Sequence, residues 1–255
     1  MTDNEKKTSP IEDILKKYPK KRPPLPKEYK DIYEKEYKIN RNGATLITKA
    51  SSYLEGWMHK KVSNDDKPKE VLEIGAGTLN HLSYENKASN YDIIEPFTAL
   101  YENAKNKQLV RGFYTDIADI ESSKKYQRII SIAVLEHLIE LPYILANLAL
   151  KMHSGAIFQA GIPTEGGALW KATYKITTGL SFWLRNGLNY DVIMKHEHVN
   201  TAHEIESIVR HIFKEVKVVR FPTSLYHMSF YTYLEAKNPD IKIAKELLHR
   251  DKNVT

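Results

Sequence analysis

From residue 70 onward, short apolar runs alternate with stretches whose apolar residues return every three or four positions. That is the signature of strands interleaved with amphipathic helices. The runs predict strands near 70–74, 90–94, 108–112, 128–132 and 156–161, and the longer period predicts helices over about 79–87, 97–106, 141–152 and 202–213. Such alternation implies an α/β, doubly wound, mostly parallel sheet with helices on both faces. After the last helix the period changes. Residues 215–221 and 229–236 read as two strands joined by a short turn at 222–226, an antiparallel C-terminal pair that brings the sheet to seven strands.

Residues 1–68 precede the first strand as an N-terminal helical extension. Within it, 11–18 predicts a short helix, and 19–26 with Arg22-Pro23-Pro24-Leu25-Pro26 a stiff extended connector. Residues 27–61 are mostly helical in pattern. Tyr29, Ile32, Tyr33, Glu36, Tyr37 and Ile39 recur at helical spacing, and the face they make either packs on the core or covers a bound ligand. Asn40-Arg41-Asn42-Gly43 is expected to break that helix, with Arg41 placed to reach a carboxylate. The sheet domain spans 69–238 and holds one long connection, a lid insertion at about 163–199. Compact α/β units connect in a handful of residues, so this one must pack on itself or cover a site. Residues 239–255 form a charged tail, helical or frayed.

Composition then removes several chemistries. The 255 residues include no cysteine, which excludes disulfides, cysteine zinc sites and thiol nucleophiles. No apolar run is long enough to span a bilayer and the polar start Met1-Thr2-Asp3-Asn4 has no signal-peptide core, so the expected compartment is the cytoplasm. A formal charge of +6 comes largely from terminal lysines interleaved with acids, without an arginine-rich or aromatic-basic run. It reads as a solvated surface rather than a nucleic-acid face.

The candidate chemistry begins at Glu73-Ile74-Gly75-Ala76-Gly77, where the first strand breaks at two glycines and gives way to a helix start. Glycines there let a ligand pack against the main chain. Glu95 ends the second strand, where a carboxylate can accept both hydroxyls of a ribose. A dinucleotide site would want a third glycine where Asn80 stands, and it does not call for an acid at Glu73. Glu73-x-Gly75-x-Gly77, Glu95, Asp116-Ile117 after the third strand and Ala133-Val134-Leu135-Glu136-His137-Leu138 after the fourth together resemble class I S-adenosylmethionine-dependent methyltransferases. The resemblance covers about residues 69–236. It implies a Rossmann-like methyltransferase fold with S-adenosyl-L-methionine as cofactor. Gly75, Ala76 and Gly77 would pack on the methionine part, Glu95 would hold the ribose, and Asp116 with Ile117 would meet the adenine. Glu73 would anchor the loop or contact the methionine amino group through water, and Ala133 would line the sulfur end.

Methyl transfer from a sulfonium needs alignment and, for a hydroxyl or protonated amine, a base. His137 is the first candidate, at the carboxyl edge of the sheet. The other reading of Glu136-His137-Leu138 is a helix cap that braces the cofactor loop. His196-Glu197-His198 forms a second cluster just ahead of Thr201 and Glu204, which have the form of a capping box. Histidines two apart, with no cysteine and no second ligand pair at metal spacing, do not predict a metal site. His196 and His198 are instead expected on an acceptor-facing loop, and His203 on the surface. In the insertion, Trp170, Tyr174, Phe182, Trp183 and Tyr190 either stack on an acceptor ring or form a satellite cluster, and Arg185 and Lys195 are placed for an anionic acceptor.

The absence of cysteine argues against methylation of cytosine carbon, and Ala133-Val134-Leu135-Glu136 replaces the Asn/Asp-Pro-Pro-aromatic turn that exocyclic-amine methyltransferases share. DNA is therefore not an expected partner. The turn and the histidine loop resemble bacterial enzymes acting on sugars and small metabolites. The expected activity is methyl transfer to an oxygen, with nitrogen second, of a sugar-type or other polar small molecule, as in surface-glycan biosynthesis. A non-catalytic cofactor-binding subunit and an RNA methyltransferase are the alternatives. The oligomeric state is left open, and a homodimer is compatible.

Overall fold

A computed structural model describes residues 10–33, 49–63, 70–85 and 90–251. Its sheet has seven strands: β1 (Glu70–Ile74), β2 (Asn90–Ile94), β3 (Gly112–Tyr114), β4 (Tyr126–Ile132), β5 (Met152–Pro163), β6 (Phe213–Pro222) and β7 (Ser229–Pro239). They lie in the order β3-β2-β1-β4-β5-β7-β6. β7 is antiparallel to both neighbours, and the other adjacent pairs are parallel. The expected doubly wound sheet with its antiparallel C-terminal pair is the one found. Its order reverses beside β1, so the ends of β1 and β4 open a crevice where such sheets bind ligands.

Burial explains the continuous apolar runs, because central strands of a parallel sheet are covered on both faces. On one face Leu72, Ile129, Phe158 and Ala160 pack against α4 (Leu141–Leu150) and α8 (Ala202–Ile212). Ile205, Ile208, Val209 and Ile212 make one stripe of α8, and each fully buried residue of this kind contributes about 1.5–3 kcal/mol. Thr201 and Glu204 form the reciprocal capping box that starts α8. On the other face Val71, Ile93, Ile130 and Tyr233 pack with Val62 of α3 (Lys49–Val62). Arg128 of β4 is 2 % exposed on this side, held by Glu85 and Gln159 at 2.6 Å each.

Two predicted helices are replaced by tighter turns. Leu79 sits at φ 62°, and only Asn80–Ser83 coils as a 3₁₀ turn, while 86–89 lie outside the described residues. Between 97 and 110 the chain makes successive i to i+3 turns, including Thr98–Leu100 and Lys107–Leu109. A three-residue apolar spacing suits such turns as well as an α-helix, and Tyr101 and Val110 are still buried. β3 consequently begins at Gly112, at the end of the predicted run.

The N-terminal segment is built into the sheet domain. α1 (Pro10–Leu15) buries Leu15 in the main core, and Arg250 of α9 (Ile241–Asp251) binds Glu12 at 2.9 and 3.0 Å. α9 itself buries Ala244 and Leu247 in that core. From α1 the chain crosses the carboxyl edge of the sheet, where Tyr18 Oη donates to Asn200 at 2.6 Å and Lys20 Nζ to Glu204 at 2.9 Å. It then enters α2, helical over the described residues 27–33. The insertion folds as α5 (Ala168–Tyr174), a π-turn (Lys175–Gly179), α6 (Leu180–Asn186) and α7 (Asp191–Glu197). Phe182 and Ile193 from it form a satellite cluster with Tyr29 of α2. Connector and insertion thus make one cover. Glu36, Tyr37, Ile39 and Asn40-Arg41-Asn42-Gly43 lie outside the described residues. No described helix is long and apolar enough to cross a membrane.

Candidate functional site

The glycine turn follows β1 with Gly75 at φ 68° and Gly77 at φ 51°. A Cβ on Gly75 would overlap the side chain of Val134, so the cradle exists because that carbon is missing. Gly77 has open space where its Cβ would be, and what it supplies is an N–H donated to Glu95 Oε2 at 2.9 Å. The second oxygen of Glu95 accepts from the Phe97 N–H at 2.9 Å. Glu95 is thereby fixed at the end of β2 and retains lone pairs for hydroxyl donors.

Asp116 caps a 3₁₀ turn at Ile117–Asp119, accepting from the Ala118 N–H at 2.8 Å, while Asp119 closes the reciprocal half of the box. Ala133 follows β4 at φ 54°, a left-handed conformation that costs a non-glycine residue about 1–2 kcal/mol. Its N–H donates to Gly161 O at 2.8 Å, which pins the turn to β5.

Two cavities meet at this turn. One of about 650 Å³ is lined by Gly75, Glu95, Phe97, Asp116 and Ile117, and the other, of about 460 Å³, by Glu73, Ala76, Gly77, Glu136 and His198. Gly75, Ala133 and His137 line both. The residues expected at the ribose and adenine therefore share the first cavity, and those expected at the methionine end line the second. A cradle that only glycine permits, beside a fixed carboxylate, fits a nucleoside with a chain leading away from it.

Glu73 is buried, accepts from Tyr91 Oη at 2.8 Å, and is pushed up to about 7 by desolvation, which outweighs the pull of His81, Tyr91 and Arg128 and adds to the push of Glu85. A carboxylate raised in the folded state binds more protons folded than unfolded between its ordinary value near 4.5 and 7. Its stabilising protonation is complete below that window and lost as pH rises through it. We expect Glu73→Gln, which keeps the acceptor oxygen, to remove a loss of stability on the order of 3 kcal/mol between pH 4.5 and 8, read from denaturant unfolding at several pH values. Parallel pH profiles for variant and parent would exclude it. His59, which also lines the second cavity, is held neutral by burial and by His81, down to about 4.

His137 and His198 come together with ring centroids 4.8 Å apart and planes at 87°. His137 Nδ1 lies 2.9 Å from Glu197 O, and His198 Nδ1 lies 2.9 Å from Glu165 Oε2. Glu136 is fully buried, its carboxyl raised to about 7 by desolvation, and its Oε2 has no hydrogen-bond partner among the described residues. His196 goes elsewhere. Its Nδ1 is 2.7 Å from Pro23 O, its ring stands edge-on to Tyr33, and it shares the first cavity with His137 but does not line the second, where His198 is. His203 is on the surface as expected.

Several residues here carry no motif. Arg22 donates to His196 O (2.8 Å), Glu197 O (3.1 Å) and His137 O (2.9 Å), tying the cover to both histidine loops. Tyr33 bonds Glu197, and both line the first cavity, so the α2 tyrosines divide between packing (Tyr29) and lining (Tyr33). Trp170 lines the second cavity and donates Nε1 to Glu165 at 2.7 Å. Arg185 and Lys195 are exposed and line neither cavity, so the expected role toward an anionic acceptor finds no geometry here.

No protein-family profile and no curated protein matches the sequence. Among solved structures, the chain is similar to the plantazolicin methyltransferase BpumL in complex with SAH, at 16% identity over 89% of this chain and 99% of that one, TM-score 0.58. It is also similar to the N-methyltransferase NodS from Bradyrhizobium japonicum (13% identity, 76% and 100% covered, TM-score 0.51) and to an O-methyltransferase family protein from Burkholderia thailandensis (12%, 77% and 58%, TM-score 0.50). Strand order, glycine turn and these neighbours agree. The chain has the Rossmann-like fold of class I S-adenosylmethionine-dependent methyltransferases.

Proposed function

We propose that the protein is an S-adenosylmethionine-dependent methyltransferase acting on an oxygen, with nitrogen the second choice, of a sugar-type or similarly polar small molecule. The observation that carries this reading is the meeting of two cavities at Gly75, Ala133 and His137, one lined by Glu95, Asp116 and Ile117 and the other by Glu136, His198 and Trp170. The SAH bound to a neighbour of the same fold supports the cofactor. When bound, that cofactor supplies a methyl group on a positively charged sulfur.

The chain's own residues then have separate tasks. Glu95 accepts the ribose hydroxyls, Asp116 and Ile117 flank the adenine, and Gly75 with Ala133 lets the methionine end pass close to the main chain. Trp170 and Tyr231 line the second cavity, where the acceptor enters. His137 takes the acceptor proton on Nε2, since Nδ1 must carry its hydrogen to bond the Glu197 carbonyl. His196, held by Pro23, does not face that space.

Calorimetric titration with S-adenosylmethionine tests the cofactor half: saturable binding is expected, and its absence would sink the reading. For the base, His137→Ala is expected to lower turnover on a responsive acceptor by about 10²–10⁴ with cofactor affinity held. Turnover within a few-fold of the parent would remove His137 from that role.

A further inference from the structure

Glu136, His137 and His198 reach one point from two loops, after β4 and ahead of α8, and their ligand atoms all lie within 4.8 Å of one another. We propose that these three side chains bind a divalent transition-metal ion in the wall of the second cavity, with positions left open toward the acceptor space. The metal site itself stands apart from the methyltransfer reading, and only its service to an acceptor rests on it. An ion held by His137 Nε2 takes up the lone pair that otherwise accepts the acceptor proton, so His137 is the base in the metal-free protein alone.

The first support is how the imidazoles are backed. A carbonyl only accepts, so the bond to Glu197 O places the hydrogen of His137 on Nδ1 and leaves a lone pair on Nε2, which is 3.9 Å from Glu136 Oε1. The contact of His198 Nδ1 with the Glu165 carboxylate does the same, and Trp170 Nε1 holds that carboxylate from behind. Carboxylate and carbonyl groups fixing the far nitrogen of each ring are what orient histidine ligands at metal centres. The second support is independent. Glu136 is 1 % exposed and its Oε2 finds no donor among the described residues. Its other oxygen, Oε1, faces His137 Nε2, so this carboxylate and the two imidazole lone pairs gather as acceptors within 4.8 Å of one another, and a cation satisfies all three groups at once.

Two imidazoles and a carboxylate favour zinc, iron, cobalt, nickel or manganese over magnesium and calcium, which take oxygen cages. Three protein ligands leave room for water or an acceptor oxygen, as in open metal sites. The sequence hides this. His196 and His198 look like the pair, whereas the fold turns His196 toward Pro23 and brings His137 to His198 instead.

The protein, stripped with a chelator, is titrated with Co²⁺ and followed by visible absorption. Without a cysteine in the chain, bands that appear come from nitrogen and oxygen ligation. Saturation at one equivalent per chain is expected. His198→Ala and Glu136→Ala are each expected to weaken it by about 10-fold or more, and His203→Ala to leave it unchanged. Thermal unfolding and SAH titration of the same variants show that they are folded. Azide added to the Co²⁺ form is expected to change the spectrum through an open position. No saturable uptake by the parent protein, or uptake that survives both His198→Ala and Glu136→Ala, overturns the site. An azide-insensitive spectrum overturns the open position. SAH binding without Co²⁺ uptake would remove the metal and leave the methyltransferase, and the converse would remove the methyltransferase and leave the metal.

Discussion

Replacing Gly75 by alanine is expected to weaken SAH binding by about 100-fold while the protein stays folded. Two penalties act together. At φ 68° an alanine carries about 1–2 kcal/mol of left-handed strain, and its Cβ falls on the Val134 side chain. The clash is relieved only by moving the turn or Val134, and both line the first cavity. The sheet beneath does not feel the change, because Ile74 and Val71 keep their parallel partners on β2 and β4. Calorimetry with SAH and a melting curve check this, and affinity within three-fold of the parent would show that the turn is not the cradle.

Arg22→Ala is the second large effect. One guanidinium satisfies three carbonyls drawn from the His137 turn and the end of α7, and its side chain is 34% exposed. Charge-assisted bonds of this kind are worth about 1.5–3 kcal/mol when buried, and water discounts them here, so roughly 2 kcal/mol of local stability is expected to go. The readout is hydrogen exchange at Val199 and Asn200, whose N–H groups bond Glu136 O at 2.9 and 3.1 Å. Protection there should fall about 30-fold. Arg22→Lys should recover only part, since an ammonium cannot fork across several carbonyls. Undiminished protection in Arg22→Ala would mean that the two loops hold each other without the clamp.

The sequence carries the strand order well because the central strands are buried on both faces, which forces unbroken apolar runs such as Val71-Leu72 and Ile129-Ile130. The turn proposed to hold the cofactor is equally plain. A glycine with no room for a Cβ and an acid at a strand end are requirements of backbone geometry, so Gly75 and Glu95 can be found by spacing alone. The cover is different. Arg22 sits in a proline connector and does its work through main-chain carbonyls, which leave no trace in residue type. Glu165 and Glu197 are ordinary acids until the fold sets them behind His198 and His137. Nor can periodicity tell an α-helix from serial 3₁₀ turns when apolar residues are three apart, as at Phe97 and Leu100 or Tyr101 and Ala104.

The cover also sets an order in time. Tyr18 meets a partner 182 positions further on, Lys20 one at 184, and Arg22 partners at 174 and 175. On a ribosome the glycine turn, Glu95 and Asp116 are all made, and can pair within the nascent sheet, while residues 196–204 have yet to be synthesised. Lys20 and Arg22 can meet Ile139 and His137 once the turn after β4 is made, whereas Tyr18 and the rest of the clamp wait for residues 196–204. The turn and strand ends proposed for the cofactor are made first, and the chamber beside His137 and His198 closes last, when residues 18–22 reach the end of α7 and the start of α8.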